Sequence, residues 1–268
     1  MTDYPPIPAV VTAGCSPNEH DPLAALTQGG PKALLPVAGQ PMITHVVNNL
    51  VASRYIDRVV IVGMDPDATA PFATQVTYLD DRGGLVANYE AGLRYVVEHI
   101  PWCEEILLSS SDIPTIVPGI VDQFINTCRQ TTHDLYYPIV ERSVMESRFP
   151  GSHRSYLRLA EGEFAGGDIL LASPRLEIRN PALWRDLADA RKSPLKQARK
   201  FGLFTLLKLA RGRLSLREAE QRVSQVLGIH GRVIPFEHAE IAMDVDKPFQ
   251  LDIVRADIES RFAAQRET

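Results

Sequence analysis

Short apolar runs alternate with longer amphipathic patterns through the first half of the chain. Segments 7–12, 58–62 and 105–109 are brief and mostly apolar or β-branched, which is typical of buried strands. Between them, apolar residues recur every three or four positions over 85–100. Segment 41–53 is similar and opens with a proline that suits a first helical turn. This alternation predicts a three-layer α/β/α fold around a mostly parallel sheet.

The second half of the chain has a less regular pattern. Its predicted strands are 135–140, 155–159, 168–172, 232–235 and 241–245. The pattern over about 180–230 is mostly helical, with Ser215 and Glu218 spaced as a capping box, and 251–262 predicts an amphipathic C-terminal helix. Because neither a repeat nor a low-complexity linker interrupts the chain, we expect one domain over 1–268, with a helical insertion at about 180–230.

Composition excludes several classes of protein. With 45% hydrophobic and 23% charged residues, the chain has the balance of a globular protein rather than a disordered one. The net charge of −5 argues against a nucleic-acid partner, and no apolar run approaches the roughly 20 residues that span a bilayer. Three cysteines without a C-x-x-C pattern favour neither a disulfide framework nor a zinc cage, and segment 1–8 lacks a signal-peptide pattern. We therefore expect a cytoplasmic protein.

The first predicted strand ends in a turn of small residues. Backbone N–H groups at Ala13, Gly14, Cys15 and Ser16 are placed to approach an anion, and a long stretch with little apolar periodicity separates this turn from Lys32. The position favours a phosphate site, because ligands of parallel sheets bind beyond the carboxyl ends of the strands. Taken alone, however, these residues are more typical of a plain turn and a solvated lysine.

Two further strand ends carry carboxylates. Ser111 and Asp112 follow the third predicted strand, and Asp244 and Asp246 lie two positions apart on an extended segment, where both side chains face the same way. Carboxylates in such places suit Mg²⁺, although Asp112 also fits an Asx turn and Asp246 also fits the N-cap of the C-terminal helix. Together with Lys32 and the small-residue turn, they suit a nucleoside triphosphate with Mg²⁺. No G-x-x-x-x-G-K-[ST] pattern is present, which disfavours a P-loop kinase.

The motifs at these strand ends resemble those of a known family. The sequence reads VVTAG at 10–14 and PKALLPVAGQPM at 31–42, and the resemblance extends to D-x-P at 112–114 and DVDKPFQL at 244–251. These motifs are similar to those of the MobA-like nucleotidyltransferases, which include molybdenum-cofactor guanylyltransferases and sugar-phosphate nucleotidyltransferases. The resemblance covers the N-terminal half and the last helix, and it implies a GT-A-like α/β fold.

The resemblance also implies a reaction and a set of site residues. The phosphate of a small phosphorylated acceptor would attack the α-phosphorus of an NTP, pyrophosphate would leave, and Mg²⁺ would bridge donor and acceptor oxygens. The catalytic roles fall to Lys32 and Asp112, and the Mg²⁺ ligands would be Asp112 and Asp246. The nucleotide-binding residues that the resemblance implies are Ala13, Gly14, Cys15, Ser16, Lys32, Gly84, Asn88 and Ser111.

One loop departs from the family pattern. The phosphate-binding loop of the family reads A-G-G-x-[GS]-x-R, whereas residues 13–23 here read AGCSPNEHDPL and contain no arginine. Arg82 is a candidate replacement. The missing arginine motivates one alternative, a non-catalytic nucleotide-binding regulatory protein. A second alternative is a GT-A-like glycosyltransferase that uses a nucleotide sugar.

The acceptor side carries fewer signals. Gly167 and Asp168 precede a predicted strand and Lys192 lies in a basic segment, so these three are the candidate acceptor-binding residues. That segment, 190–213, holds eight basic and no acidic residues. We interpret it as a packed helix with a solvated basic face, in preference to a membrane-surface helix that would suit a lipid-linked acceptor. The motifs specify neither the base nor the oligomeric state.

Overall fold

The computed structural model describes residues 5–14, 22–72, 75–176 and 202–266. The strands within these ranges are β1 (Ile7–Thr12), β2 (Pro36–Val37), β3 (Gln40–Pro41), β4 (Ile56–Val62), β5 (Val76–Leu79), β6 (Ile106–Ser110), β7 (Leu135–Glu141), β8 (Leu157–Arg158), β9 (Glu163–Gly166), β10 (Ile169–Ala172) and β11 (Gly231–Pro235). Nine of them form one sheet in the order β5-β4-β1-β6-β10-β7-β9-β8, with β11 paired to β7, and β2 and β3 form a separate antiparallel pair.

Helices cover both faces of the large sheet. They are α1 (Ala24–Thr27), α2 (Met42–Val51), α3 (Leu85–His99), α4 (Pro118–Cys128), α5 (Arg142–Arg148), α6 (Leu203–Ala210), α7 (Leu216–Leu227) and α8 (Pro248–Arg266). Successive residues of β1 point to opposite faces: Ala9 and Val11 share an apolar cluster with α2, α4 and α8, whereas Val10 shares one with α3. The α/β/α fold predicted from the alternating pattern is thereby confirmed.

Strand register brings three chain segments to one edge of the sheet. β1 lies parallel to and between β4 and β6, with Thr12 paired to Ser110, so residues 13–14 and Asp112 follow neighbouring strand ends. β10 runs antiparallel to β6, and its preceding residue, Asp168, accepts a hydrogen bond from the Ser110 backbone N–H over 3.0 Å. Adjacent strands lie only about 5 Å apart, so these segments surround a common space.

One strand prediction is wrong and another is too long. Segment 241–245 does not join the sheet, because Ala239–Ala242 forms a 3₁₀ turn. The chain then crosses the strand ends, where the Val245 N–H donates to the carbonyl oxygen of Asp112 over 3.0 Å. The predicted strand 155–159 shortens to β8.

The described part of the predicted helical insertion contains α6 and α7. Its capping box is confirmed, because the Glu218 N–H donates to Ser215 Oγ and the Ser215 N–H donates to Glu218 Oε2, each over 3.2 Å. Lys208 of the basic segment pairs with Glu218 at 2.6 Å, and Leu209 packs against the apolar cluster that contains Leu214. Residues 177–201 lie outside the described residues, so the predicted insertion and single domain stay predictions.

None of the described helices combines the length and the apolar character that a membrane span requires.

Candidate functional site

A lysine lies between two carboxylates beyond the carboxyl end of the sheet. Lys32 begins a short 3₁₀ turn, and its Nζ lies 2.5 Å from Asp112 Oδ2 and 2.7 Å from Asp246 Oδ1. It also donates to the carbonyl oxygen of Val245 over 3.4 Å. Burial opposes the charged form of this amine, but Asp112 and Asp246 outweigh burial and raise the pKa of Lys32 above its ordinary value. Lys32 is therefore held as a cation where the three sequence motifs meet.

The two carboxylates are fixed in different ways. Asp112 lies two residues beyond the end of β6, and its side chain is only 8% exposed. Asp246 precedes α8, where its backbone N–H donates to Gln250 Oε1 over 2.9 Å, and its side chain is 56% exposed. One carboxylate is thus buried, and the other is exposed to an incoming ligand.

Three carboxylates lie close enough together to hold a divalent cation. One oxygen from each of Asp112, Asp244 and Asp246 lies within 4.8 Å of the others. Asp112 Oδ1 is buried and has no hydrogen-bond partner among the described residues, so it is available to a cation. Burial opposes ionisation of Asp246, but the charge and hydrogen bond of Lys32 hold the pKa of Asp246 below its ordinary value. This set of hard oxygen ligands fits Mg²⁺.

Arg154 is a site residue that sequence reasoning missed. It lies in the loop between α5 and β8, where its guanidinium forms an ion pair with the Asp244 carboxylate and donates from Nη1 to the carbonyl oxygen of Asp244 over 3.2 Å. The Arg154 side chain is 12% exposed. No motif surrounds Arg154, so nothing in the sequence separates it from the other arginines.

The Ala13–Gly14 turn packs closely against a second loop. The Ala13 N–H donates to the carbonyl oxygen of Val62 over 2.8 Å, and a Cβ on Gly14 would lie 2.4 Å from Asn88 Nδ2 and 2.6 Å from Asp81 Oδ1. Asn88 is buried. Its Nδ2 donates to Asp81 Oδ1 over 3.0 Å and its Oδ1 accepts from the Arg82 N–H over 2.7 Å. Asn88 therefore anchors the 80–84 loop beside the turn, and direct nucleotide contact by Asn88 stays a prediction.

We expect Gly14→Ala to destabilise the protein by about 1–3 kcal/mol, because the added methyl group overlaps buried polar atoms. Urea denaturation followed by circular dichroism measures the loss. Gly119→Ala is the matched control, since a Cβ there meets no atom within 4 Å and alanine favours the helix. Equal stability of the two variants would show that the turn is not closely packed.

The other predicted nucleotide-binding residues have different surroundings. Ser111 is buried directly before Asp112. Gly84 borders open space, with no atom within 4 Å of the position that a Cβ would take. The predicted site residues that lie outside the described residues are Cys15, Ser16 and Lys192. Roles for all of these residues stay predictions.

The two acceptor candidates beside β10 also differ. Gly167 donates its N–H to the carbonyl oxygen of Pro138 over 2.9 Å, and a Cβ on Gly167 would lie 2.8 Å from Pro138 Cγ, so packing alone favours glycine there. Asp168 Oδ2 is buried and has no hydrogen-bond partner within the described part of the chain. Burial and the charge of Asp112 raise the pKa of Asp168 to about 8, against the opposing charge of Arg154. Asp168 is therefore the candidate whose side chain is available to a ligand.

Comparison with known proteins gives matches over most of the chain. The family model of the MobA-like NTP transferase domain matches residues 26–201. A solved structure described as a hypothetical transferase from Thermus thermophilus is 35% identical, with a TM-score of 0.79, and the match covers 92% of this chain and 99% of that one. A CMP:2-keto-3-deoxy-manno-octonic acid synthetase complexed with CTP shares the fold, with a TM-score of 0.61 at 15% identity over 96% of this chain and 100% of that one.

A curated relative matches over a shorter segment. The 3-deoxy-manno-octulosonate cytidylyltransferase of Synechococcus elongatus is 33% identical over 103 residues, which is 37% of this chain and 40% of that protein. The chain thus matches less than half the length of this relative.

The family match spans about two thirds of the chain, and the Thermus thermophilus match covers nearly all of it. The resemblance stated from the motifs is confirmed, and so is the nucleotidyltransferase class at the level of the family. This chain belongs to the MobA-like NTP transferase domain family.

Proposed function

We propose that this protein is a Mg²⁺-dependent nucleotidyltransferase that transfers an NMP from an NTP to a small phosphorylated acceptor and releases pyrophosphate. The observation that carries the proposal is the placement of Lys32 between Asp112 and Asp246, one strand away from the Ala13–Gly14 turn. A cation flanked by two carboxylates beside a close backbone turn matches the needs of a polyphosphate bound with a divalent ion.

The roles of the residues follow from their surroundings. The backbone around Ala13 and Gly14 would lie against the nucleotide, because only the lack of a Cβ lets the chain approach Asn88 so closely. Lys32, which stays charged at neutral pH, would donate to phosphate oxygens and neutralise charge as the α-phosphorus is attacked. Asp112 and Asp246 would hold Mg²⁺, which polarises phosphate oxygens and neutralises the leaving pyrophosphate.

Arg82 would supply the positive charge that the phosphate-binding loop lacks. Residues 13–31 contain neither lysine nor arginine, and Lys32 already pairs with two carboxylates. Arg82 is exposed on the 80–84 loop that Asn88 fixes beside Gly14, and no ion pair ties its guanidinium to another described residue. A guanidinium that no described carboxylate neutralises, at the edge of the nucleotide turn, is suited to phosphate recognition.

We expect Arg82→Gln to raise the KM for the NTP about tenfold, a loss of roughly 1.4 kcal/mol, because one charge-assisted contact is removed. Steady-state kinetics at saturating acceptor measure this. Arg94→Gln on α3 is the control, since Arg94 pairs with Glu90 on an exposed helix face. An unchanged KM in the Arg82 variant would remove Arg82 from the nucleotide site.

Asp168 would contact the acceptor. Its Oδ2 has no hydrogen-bond partner among the described residues, and its backbone carbonyl oxygen accepts from Ser110 at the strand end that precedes Asp112. Its raised pKa favours a protonated carboxyl group that can donate to an acceptor phosphate. Gly167 would place Asp168 through its close packing on Pro138.

Pyrophosphate release from a panel of NTPs and phosphorylated acceptors tests the proposal. CTP is the first donor to test, because a matched curated relative is a cytidylyltransferase and one solved neighbour is complexed with CTP. A nucleotide that binds the site should stabilise the protein by roughly 2.7 kcal/mol at a ligand concentration of about 100 Kd, and thermal shift detects this before an acceptor is known. Release of UDP from a nucleotide sugar without pyrophosphate would favour the glycosyltransferase instead. NTP binding without turnover across the whole panel would favour a regulatory protein.

A further inference from the structure

The three clustered carboxylates do not have equivalent surroundings. Asp246 is largely exposed and pairs with Lys32. Asp112 is buried and also pairs with Lys32, through Oδ2, but its Oδ1 has no hydrogen-bond partner among the described residues. Asp244 is 11% exposed, and its Oδ1 forms an ion pair with the guanidinium of Arg154, which is equally buried. A carboxylate oxygen that already pairs with a buried guanidinium is a weaker ligand for a metal cation, because its lone pairs and charge are already engaged.

We propose that Arg154 withdraws Asp244 from the metal site, so that Asp112 and Asp246 alone bind the divalent cation. Arg154 is then a positioning residue that sets the charge of the site, and Asp244 anchors the backbone rather than ligating the metal. This inference rests on the proposed function, because it assigns different roles to the carboxylates of the same site.

The loop that carries Arg154 also fixes the backbone of Asp246. The carbonyl oxygen of Ser152 accepts from Gln250 Nε2 over 3.1 Å, and Gln250 Oε1 in turn accepts from the Asp246 N–H over 2.9 Å. The His153 ring lies 5.6 Å from the Phe249 ring in an edge-on arrangement. The α5–β8 loop therefore contacts the chain on both sides of Asp246, at Asp244 before it and at Phe249 and Gln250 after it.

The positive charge of Arg154 should weaken metal binding in addition to any effect of its packing. Its side chain is 12% exposed and its guanidinium pairs with Asp244, whose carboxylate lies within 4.8 Å of those of Asp112 and Asp246, so its positive charge lies next to the metal site. Removing Arg154 would free a third carboxylate next to the metal and delete a repelling cation at the same time. Both changes would strengthen the binding of a divalent cation, and the additional carboxylate would alter the geometry of its ligands.

A mutant cycle with Mn²⁺ as the probe tests the proposal independently of any enzymatic activity. Free Mn²⁺ is measured by electron paramagnetic resonance against protein concentration, with no nucleotide present. We expect Asp246→Asn to weaken Mn²⁺ binding about tenfold or more, and Arg154→Met to tighten it roughly tenfold. The double variant Arg154→Met/Asp244→Asn should bind Mn²⁺ within about threefold of the parent, because it removes both members of an ion pair and leaves the net charge of the site unchanged.

Two results would overturn the proposal. If the double variant loses as much affinity as Asp246→Asn, Asp244 is a ligand; if folded Arg154→Met binds no more tightly than the parent, Arg154 does not withhold Asp244. Should Arg154→Met alone not fold, the double variant, which leaves no unpaired buried charge, decides the question.

The control is Arg142→Met/Glu163→Gln, which removes an exposed ion pair 2.9 Å apart and should bind Mn²⁺ like the parent. Failure of the proposed function itself has a different signature, which is Mn²⁺ binding unaffected by Asp112→Asn or Asp246→Asn.

Discussion

Asp112→Asn is expected to lower kcat by about 10³-fold or more, which corresponds to roughly 4 kcal/mol of transition-state stabilisation. The substitution keeps the size of a side chain that is 8% exposed, so the fold should be retained. It removes the buried oxygen that has no other described partner, together with the charge that holds Lys32 on one side. Mg²⁺-dependent nucleotide binding should weaken in parallel.

The matched control for this prediction is Asp67→Asn. Asp67 belongs to the other D-x-D triplet of the sequence, Asp65-Pro66-Asp67, which forms an exposed 3₁₀ turn where Asp65 caps the Asp67 N–H. The same chemical change there should leave kcat and Mg²⁺ dependence as in the parent. Turnover by Asp112→Asn within about tenfold of the parent, with undiminished Mg²⁺ dependence, would show that the metal assignment is wrong.

Lys32→Met is expected to affect catalysis and stability through the same two carboxylates. Turnover should fall on the order of 10²- to 10³-fold, because no other described cation lies between Asp112 and Asp246 to neutralise the reacting phosphates. Without metal, unfolding should also need about 1–2 kcal/mol less free energy, since Asp112 then keeps a buried charge without its cation. The estimate is modest because the Lys32 side chain is 34% exposed and its ion pairs are partly screened.

Added Mg²⁺ should restore the stability of Lys32→Met but not its turnover. The metal can neutralise the two carboxylates in place of the lysine, but it cannot replace the contact of the lysine with the substrate phosphates. Urea denaturation with EDTA and with excess Mg²⁺ makes this comparison. Lys208→Met is the control, since Lys208 also pairs with a carboxylate, that of Glu218 at 2.6 Å, but on the surface. Parent-like turnover in Lys32→Met, or a stability loss that Mg²⁺ does not reverse, would contradict the role given to Lys32.

The convergence of the motifs was predictable because it follows from the sheet. Parallel strands end at the same edge of a sheet, so the residues after β1 and β6 were expected at that edge once both segments were recognised as strands. That the two strands are direct neighbours is seen only in the structure. Lys32 and Asp246 belong to recognisable motifs, and this is why the sequence alone placed them with Asp112.

The remainder of the site depends on contacts that leave no pattern in the sequence. Segment 241–245 is as apolar as a strand, but its backbone bonds singly to Asp168 and Asp112 instead of forming a ladder. Arg154 comes from an irregular loop, so its pairing with Asp244 becomes visible only in three dimensions. Asn88 fits a nucleotide contact by position, yet its buried amide is occupied by the neighbouring loop.

The most direct test of the account is the position of a bound metal. Crystals grown with Mn²⁺ and a non-hydrolysable CTP analogue should give one anomalous scattering peak within coordination distance of both Asp112 and Asp246. We expect the triphosphate to contact that ion and the Lys32 amine to contact the phosphates. A metal bound away from this pair, or a nucleotide seated elsewhere on the sheet, would contradict the assignment of this site to nucleotidyl transfer.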